Sequence, residues 1–178
     1  MLKKILIGLL LALGALVLYA QVATSTDFRI VREIKINAPA FAVFPFVNEP
    51  KKMNSWNPWL KLDHEAKVEY LGPEAGVGAA STWDGDMQVG AGTATVTHSV
   101  PNFLVRMQLV YRRPMQGTST VDFSLKQEGE ITSVDWIMLG QRNWLGKVVC
   151  LVMNTEKLIG NQFDSGLADL KSMVESAK

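Results

Sequence analysis

The sequence predicts an α+β protein with one N-terminal transmembrane helix, a curved antiparallel sheet of about seven strands, and a long C-terminal helix. Three observations predict this order. Of the first 23 residues in the 178-residue chain, 18 are apolar. Several segments in the middle alternate apolar and polar side chains, as half-buried strands do. The last part of the chain repeats apolar residues at helical spacing.

Residues 1–23 predict a membrane anchor or a signal segment. Lys3 and Lys4 are the only charged residues in it, and they precede an almost purely apolar run from Ile5 to Ala20. Three further residues extend the run to the length of a short membrane span. Lysines before such a run keep the N-terminus inside. The rest of the chain is then extracytoplasmic, and periplasmic in a Gram-negative bacterium.

Signal-peptide cleavage needs small residues at positions −3 and −1 relative to the cut. Cleavage after Ala20 would place Leu18 at −3, and cleavage after Ala23 would place Gln21 there. A cut after Ser25 has acceptable residues but comes late. A retained anchor is therefore favoured over a cleaved, secreted form.

Residues 24–27 predict a short polar linker, and residues 28–178 predict a single domain. Without the anchor the chain has 16 basic and 17 acidic residues, a net charge of −1, and no basic block. Nucleic-acid binding therefore has no electrostatic support. Because Cys150 is the only cysteine, an intramolecular disulfide and a paired-cysteine metal site are both excluded.

The domain is predicted to begin with a strand and two short helices. Period-two alternation over Phe28–Ile36 indicates the strand. Pro39 suits the first turn of a helix that runs to about Val47. Pro45 should kink or shorten that helix. A second short helix is expected over Lys51–Trp56.

The middle of the domain predicts an antiparallel meander, because short turns of Gly, Pro, Asn and Asp separate its strands. The six expected strands are Ala66–Leu71, Ala79–Asp84, Met87–Ser99, Phe103–Arg113, Gly117–Lys126 and Thr132–Gly140. Gly90 and Gly92, within one strand, predict a bend or bulge that curves the sheet.

The end of the chain predicts two helices. Trp144–Met153 is nearly all apolar, and Asn154 is a suitable N-cap for a helix from Thr155 to about Ser176. One apolar stripe should run along the second helix, formed by Leu158, Ile159, Phe163, Leu167, Leu170 and Val174.

Short motifs in a fixed order across residues 28–171 carry a family resemblance. They are Ile36-Asn37-Ala38-Pro39 with Val43-Phe44, Trp56-Asn57-Pro58-Trp59, Gly76-Val77-Gly78-Ala79, Ser99-Val100-Pro101-Asn102, Pro114-Met115-Gln116-Gly117, Ile159-Gly160 through Phe163, and Gly166-Leu167-Ala168-Asp169-Leu170-Lys171. With the element order, they resemble the SRPBCC superfamily of START-like helix-grip folds, and most of all its bacterial polyketide cyclase/dehydrase and lipid transport branch. The resemblance implies a curved sheet that wraps the C-terminal helix and leaves a cavity between the sheet and the helix. One such fold hosts many functions.

Large apolar side chains are the candidates for lining the implied cavity: Trp56, Trp59, Trp83, Met107, Leu109, Trp136, Met138, Ile159 and Phe163. Tryptophan and methionine offer adaptable apolar surface to a ligand, although the same residues would suit simple core packing. Ser81, Thr95 or Tyr111 could supply a polar anchor.

Residues that could carry catalysis form no visible constellation, so the sequence leans against an enzyme. His64 and His98 cannot complete a three-ligand metal site, and Cys150 lies in an apolar stretch that favours an inert thiol. Four carboxylates fall within expected strands: Glu69, Asp84, Asp122 and Asp135. Asp84 and Asp135 each neighbour a tryptophan and could do acid–base work in a cavity, but an outward orientation into water is favoured for all four.

The sequence therefore predicts a membrane-tethered binding or transport module for a lipid or other hydrophobic small molecule, with no cofactor and no metal. Two alternatives stay open. One is a cyclase/dehydrase-like or hydrolase-like enzyme that uses the same cavity, and the other is a structural or regulatory domain with a filled core. Trp144–Met153 could pack in the core, which is favoured, or gate the cavity mouth, or touch the bilayer.

Overall fold

In the computed structural model, which describes residues 1–177, the chain forms five helices and seven strands. In order they are α1 (Leu2–Ala23), β1 (Asp27–Ile36), α2 (Ala40–Asn48), α3 (Pro50–Trp56), β2 (Lys67–Leu71), β3 (Ala80–Asp84), β4 (Ala91–Val100), β5 (Leu104–Arg113), β6 (Gly117–Glu128), β7 (Ile131–Gln141), α4 (Trp144–Met153) and α5 (Thr155–Ser176). The predicted fold class is confirmed. The division into anchor, linker and domain stays a prediction, and Lys178 lies outside the described residues.

The seven strands form one antiparallel sheet in the order β1-β7-β6-β5-β4-β3-β2. Their register defines two ends. Asp27 pairs with Gln141, Tyr111 pairs with Gly117, and Gly92 pairs with Tyr111. The C-terminus of α1, the β3–β4 and β5–β6 loops and the start of α4 therefore share one end, which we call the anchor end. The opposite end, the far end, carries α2 and the β4–β5 and β6–β7 turns.

Helix α5 packs against the sheet, with its heaviest contact on β1. The inward stripe of α5 is fully buried at Phe163, Leu167, Leu170 and Val174, as the helical spacing predicts. The prediction places Leu158 in the same stripe, but it is 49% exposed. The inward face starts at Ile159, which packs against the core, and Leu158 is one residue and about 100° away from that face.

Strand β4 starts at Ala91 rather than at Met87, so the expected beginning of this strand is wrong. The amide of Gly85 donates to the Gly90 carbonyl at 2.9 Å, which closes a tight loop before the strand. Gly90 has φ of +71°, and a Cβ there would collide with the Arg113 carbonyl. The predicted irregularity is confirmed by a register shift between Ala91 and Gly92.

Pro45 lies inside α2 without shortening it, because the helix continues to Asn48. Proline removes one backbone hydrogen bond from the helix. Ala40, Val43 and Val47 of α2 are all buried, and their packing outweighs that loss.

Helix α1 is long and apolar enough to cross a membrane by length and composition. An N-terminal signal sequence has the same properties. Retention of α1 and the side of the membrane therefore stay predictions.

Candidate ligand-binding cavity

A cavity of about 420 Å³ lies between the inner face of the sheet and α5. All nine side chains predicted as lining candidates border it: Trp56, Trp59, Trp83, Met107, Leu109, Trp136, Met138, Ile159 and Phe163. Some of them, including Trp56 and Phe163, are also fully buried members of the core. Their contact with a ligand stays a prediction.

On β6 and β4, the inward side chains that border the cavity are small toward the anchor end. Along β6 the inward residues increase in size from Gly117 at the anchor end through Ser119 and Val121 to Phe123, and Leu125 follows toward the far end. Interiors pack to crystal-like density only where side-chain volume fills the space. Small residues toward the anchor end therefore leave empty space beneath the strand, whereas large residues toward the far end fill the space beneath them.

The same increase in size occurs along β4, whose inward residues from the anchor end are Gly92, Ala94 and Val96. Trp83 covers Gly92, since a Cβ there would lie 2.5 Å from the Trp83 ring. Ala94 borders the cavity.

Four aromatic side chains that line the cavity pack against one another. The rings of Trp136 and Phe163 are stacked with centroids 4.0 Å apart and planes 7° apart. Trp59 meets both rings edge-on at 5.9 and 5.8 Å. Trp56 donates its indole N–H to the Phe46 carbonyl at 2.9 Å. The indole nitrogen of Trp136 has no acceptor among the described residues, and such a buried group costs about 1–3 kcal/mol.

The polar groups that the inner face of the sheet contributes to the cavity are hydroxyls, whereas the lining amides of Asn54 and Asn57 are hydrogen-bonded to each other. Tyr111, Ser119 and Ser81 all line it, and Ser119 is near enough to Tyr111 to lower the pKa of the phenol against the larger effect of burial. Burial raises the pKa of Tyr111 to about 12, so the phenol stays protonated at neutral pH. Thr95, the third suggested anchor, is not among the lining residues. It alternates with Ala94 and therefore lies on the outer face.

Two arginines line the rim of the cavity, and both are held by the protein. Arg113 pairs with Asp84 and donates to the Gly85 carbonyl at 2.8 Å. Arg142 pairs with Glu156 at 2.6 Å and lies over the Phe28 ring, 4.9 Å from its centroid. Asp84 is thereby used in an ion pair.

None of the four candidate carboxylates lines the cavity. Glu69 is exposed on β2. Asp135 lies on the outer face opposite Glu33, and its pKa is raised by desolvation first and by the Glu33 charge second. Asp122 faces outward as expected, but not into water. Its side chain is 11% exposed and accepts two hydrogen bonds of 2.7 Å from Arg106.

Other candidate chemical groups are also dispersed. His64 and His98 are exposed, and Cys150 is half-buried on α4. Within residues 1–177, no three histidine, cysteine or acidic side chains come together in a way that could hold a metal ion.

Comparison with known proteins identifies the fold. No family model matches the chain, and no curated protein does. Solved structures match over most of its length. CalU16 from Micromonospora echinospora is 16% identical, with a TM-score of 0.56 over 82% of this chain and 75% of CalU16. Protein MLL2253 from Mesorhizobium loti is 15% identical, with a TM-score of 0.62 over 85% of this chain and 99% of that one.

A third solved structure also matches the chain. Ara h 8.0201 is 9% identical, with a TM-score of 0.56 over 84% of this chain and 99% of its own. The chain has the helix-grip fold. This confirms the fold that the sequence motifs implied, and at such low identities the likeness shows the fold alone. The cavity occupies the expected space between the sheet and the C-terminal helix.

Proposed function

We propose that the protein binds a hydrophobic small molecule in the cavity between its sheet and α5, and that α1 tethers it to a membrane. The cavity itself carries the proposal. Its volume of about 420 Å³ falls within the range of small-molecule sites, which are mostly apolar with a few placed polar groups. Burial of apolar ligand surface supplies about 25 cal/mol per Å² before the costs of association.

The ligand we propose is largely apolar and carries one neutral hydrogen-bonding group. Tyr111, Ser119 and Ser81 supply hydroxyls to the interior. The two lining arginines are already paired at the rim. A carbonyl or hydroxyl matches the hydroxyls, whereas a buried ligand charge would lack a partner and be strongly disfavoured.

Two alternatives from the sequence are less well supported. A structural or regulatory domain with a filled core is less well supported, because about 420 Å³ of the interior is unfilled. A cyclase-like or hydrolase-like enzyme would need an acid or base at the ligand, and none of the four carboxylates considered for that role lines the cavity. We propose an extracytoplasmic position for the domain, supported by the two lysines that precede the apolar run of α1.

The experiment is titration of the full chain, in detergent, with the uncharged fluorescent probe N-phenyl-1-naphthylamine. Ala94→Leu fills the cavity and should weaken probe binding about tenfold or more, because ligand and side chain compete for the same space. Thr95→Leu is the matched control on the outer face of the same strand and should leave the affinity unchanged. Equal affinity in both variants, or no probe binding by the wild type, would contradict the proposal.

The polar anchor is tested with Tyr111→Phe and two probes. Prodan carries a carbonyl and should lose roughly 0.5–1.5 kcal/mol of binding free energy, the usual net value of one hydrogen bond. N-phenyl-1-naphthylamine should bind as before. Because the pKa of Tyr111 is about 12, the effect should be constant across neutral and mildly alkaline pH. An equal loss for both probes would assign Tyr111 a packing role instead.

A further inference from the structure

The cavity reaches the surface at the anchor end. Its lining includes the exposed side chains of Gln88 on the β3–β4 loop and Met115 and Gln116 on the β5–β6 loop. On the other side of the mouth, Gly146 and Val149 of α4 line it. Both loops and α4 lie where α1 ends, so the mouth is next to the helix expected in the membrane.

Helix α4 packs on the last turns of α1. The covered positions of α1 are Val17, Ala20 and Gln21, which share one helix face. Gln21 donates its side-chain amide to the Trp144 carbonyl at 3.2 Å, and Lys147 donates to the Gln21 carbonyl at 3.4 Å. These contacts fix α4 beside α1.

The position of these contacts sets the depth of α4. Val17 lies six residues before the end of α1, which is about 9 Å along a helix axis. If α1 spans a bilayer, a helix packed at Val17 and Ala20 lies at the boundary between headgroups and acyl chains. Interfacial helices bury their apolar face about 5–10 Å into that boundary.

The surface of α4 has the composition that this position needs. None of its described side chains is fully buried, so the expectation that this segment packs in the core is wrong. Trp144 is 61% and Met153 57% exposed, and Leu145 and Leu151 are exposed as well. Tryptophan is enriched at membrane interfaces. Across the mouth, the β3–β4 loop exposes Met87.

We propose that α4 docks on the outer leaflet of the same bilayer that holds α1, so that the cavity opens into lipid. A hydrophobic ligand then passes between bilayer and cavity without crossing water. The passage of ligand rests on the proposed function, whereas the docking of α4 requires only that α1 spans the membrane.

Docking is tested with the full chain in phosphatidylcholine vesicles whose acyl chains carry bromine, a quencher of tryptophan fluorescence. Trp144 is the exposed tryptophan, while the other four are buried or half-buried. Trp144→Phe should therefore remove most of the quenching. Unchanged quenching in this variant would overturn docking. Absence of quenching in the wild type would also overturn it, because Trp144 would then be covered by a second copy of the chain or by another protein. Resistance to alkaline carbonate extraction reports separately on α1.

Ligand passage is tested by loading the vesicles with N-phenyl-1-naphthylamine and following its entry into the protein. Leu151→Asp with Met153→Asp should slow entry about tenfold, because two charged groups oppose burial in the interface. Phe41→Asp is the control, since Phe41 is equally apolar, 67% exposed, and on α2 at the far end. Probe affinity in detergent should be unchanged in both proteins. If the probe enters the double variant as fast as the wild type, passage of ligand from the bilayer is overturned. If the wild type does not bind the probe in detergent, the proposed function itself is contradicted.

Discussion

The two ends of the sheet differ in how their interior is filled. Toward the far end, Leu125 and Val134 of the sheet and Leu170 and Val174 of α5 are all buried. Toward the anchor end, a cavity of about 420 Å³ is bordered by the small residues Gly117, Ser119 and Ala94. Both ends belong to the same strands and to the same helix. The difference shows that one element can pack tightly at one end and border a cavity at the other.

The largest expected effect is on the free energy of unfolding, in a comparison of two leucine variants, one in each half of the interior. Leu170→Ala should lower the free energy of unfolding by about 2–5 kcal/mol, because a close-packed site cannot collapse around the lost atoms. Leu109→Ala should cost only about 1 kcal/mol, since Leu109 is half-buried and already borders empty space. Urea unfolding of the full chain in detergent measures both values. Equal costs would mean that the anchor half is as tightly packed as the far half.

A smaller effect on the free energy of unfolding is expected from substitution of two glycines of α5. Replacing an interior helical glycine by alanine gains up to about 1 kcal/mol of helix propensity. At Gly166 a Cβ would lie 2.9 Å from Pro58 and 3.0 Å from the Trp136 ring, and neither neighbour can move freely. Gly166→Ala should therefore cost a net 1–3 kcal/mol or so by overpacking.

Gly160→Ala is the matched comparison, because its Cβ would meet only the end of the Arg32 side chain. That guanidinium can swing away at the expense of a partly exposed ion pair with Asp164. We expect unfolding free energy close to that of the wild type, measured in the same urea series. A loss as large as that of Gly166→Ala would show that Arg32 is held rigidly across the helix.

Much of this architecture could be predicted from the sequence. Alternation and turn residues located the strands, and helical spacing located α5, because those patterns are local consequences of periodicity. The nine candidate residues border the cavity for a related reason, since large apolar side chains on inward positions face the sheet–helix space whether it is filled or hollow.

Other features depend on contacts that sequence spacing does not show. The hollow half follows from small residues such as Gly117 and Ser119, and their increasing size along β6 was the available signal. The outcome at Pro45 depends on the packing of Val43 and Val47. The position of α4 beside α1 joins segments more than 120 residues apart, as the bond from Gln21 to Trp144 shows, and no local pattern could reveal it.

The smallest effect concerns the outer face, where neither half of the interior is involved. Asp135 and Glu33 lie directly opposite each other on β7 and β1. Desolvation, and then the Glu33 charge, raise the pKa of Asp135. Like charges in such cross-strand positions destabilise by about 0.2–1 kcal/mol, and solvent screening places this pair at the low end, because Glu33 is exposed and Asp135 is half-buried. Asp135→Asn should therefore stabilise the protein slightly at neutral pH.

The pH dependence of Asp135→Asn distinguishes this cause from a general effect of the substitution. Since the folded state raises the pKa of Asp135, ionisation disfavours folding, and wild-type stability falls as the pH rises through the folded pKa. The gain in Asp135→Asn, measured by urea unfolding, should therefore be complete above that pKa. It should vanish below about pH 4, the ordinary pKa of aspartate, where the wild-type carboxyl is neutral in both states. Probe affinity should stay at the wild-type value in Asp135→Asn, because the cavity lies behind the opposite face of β7, and a change in affinity would show that the two faces of the sheet are coupled.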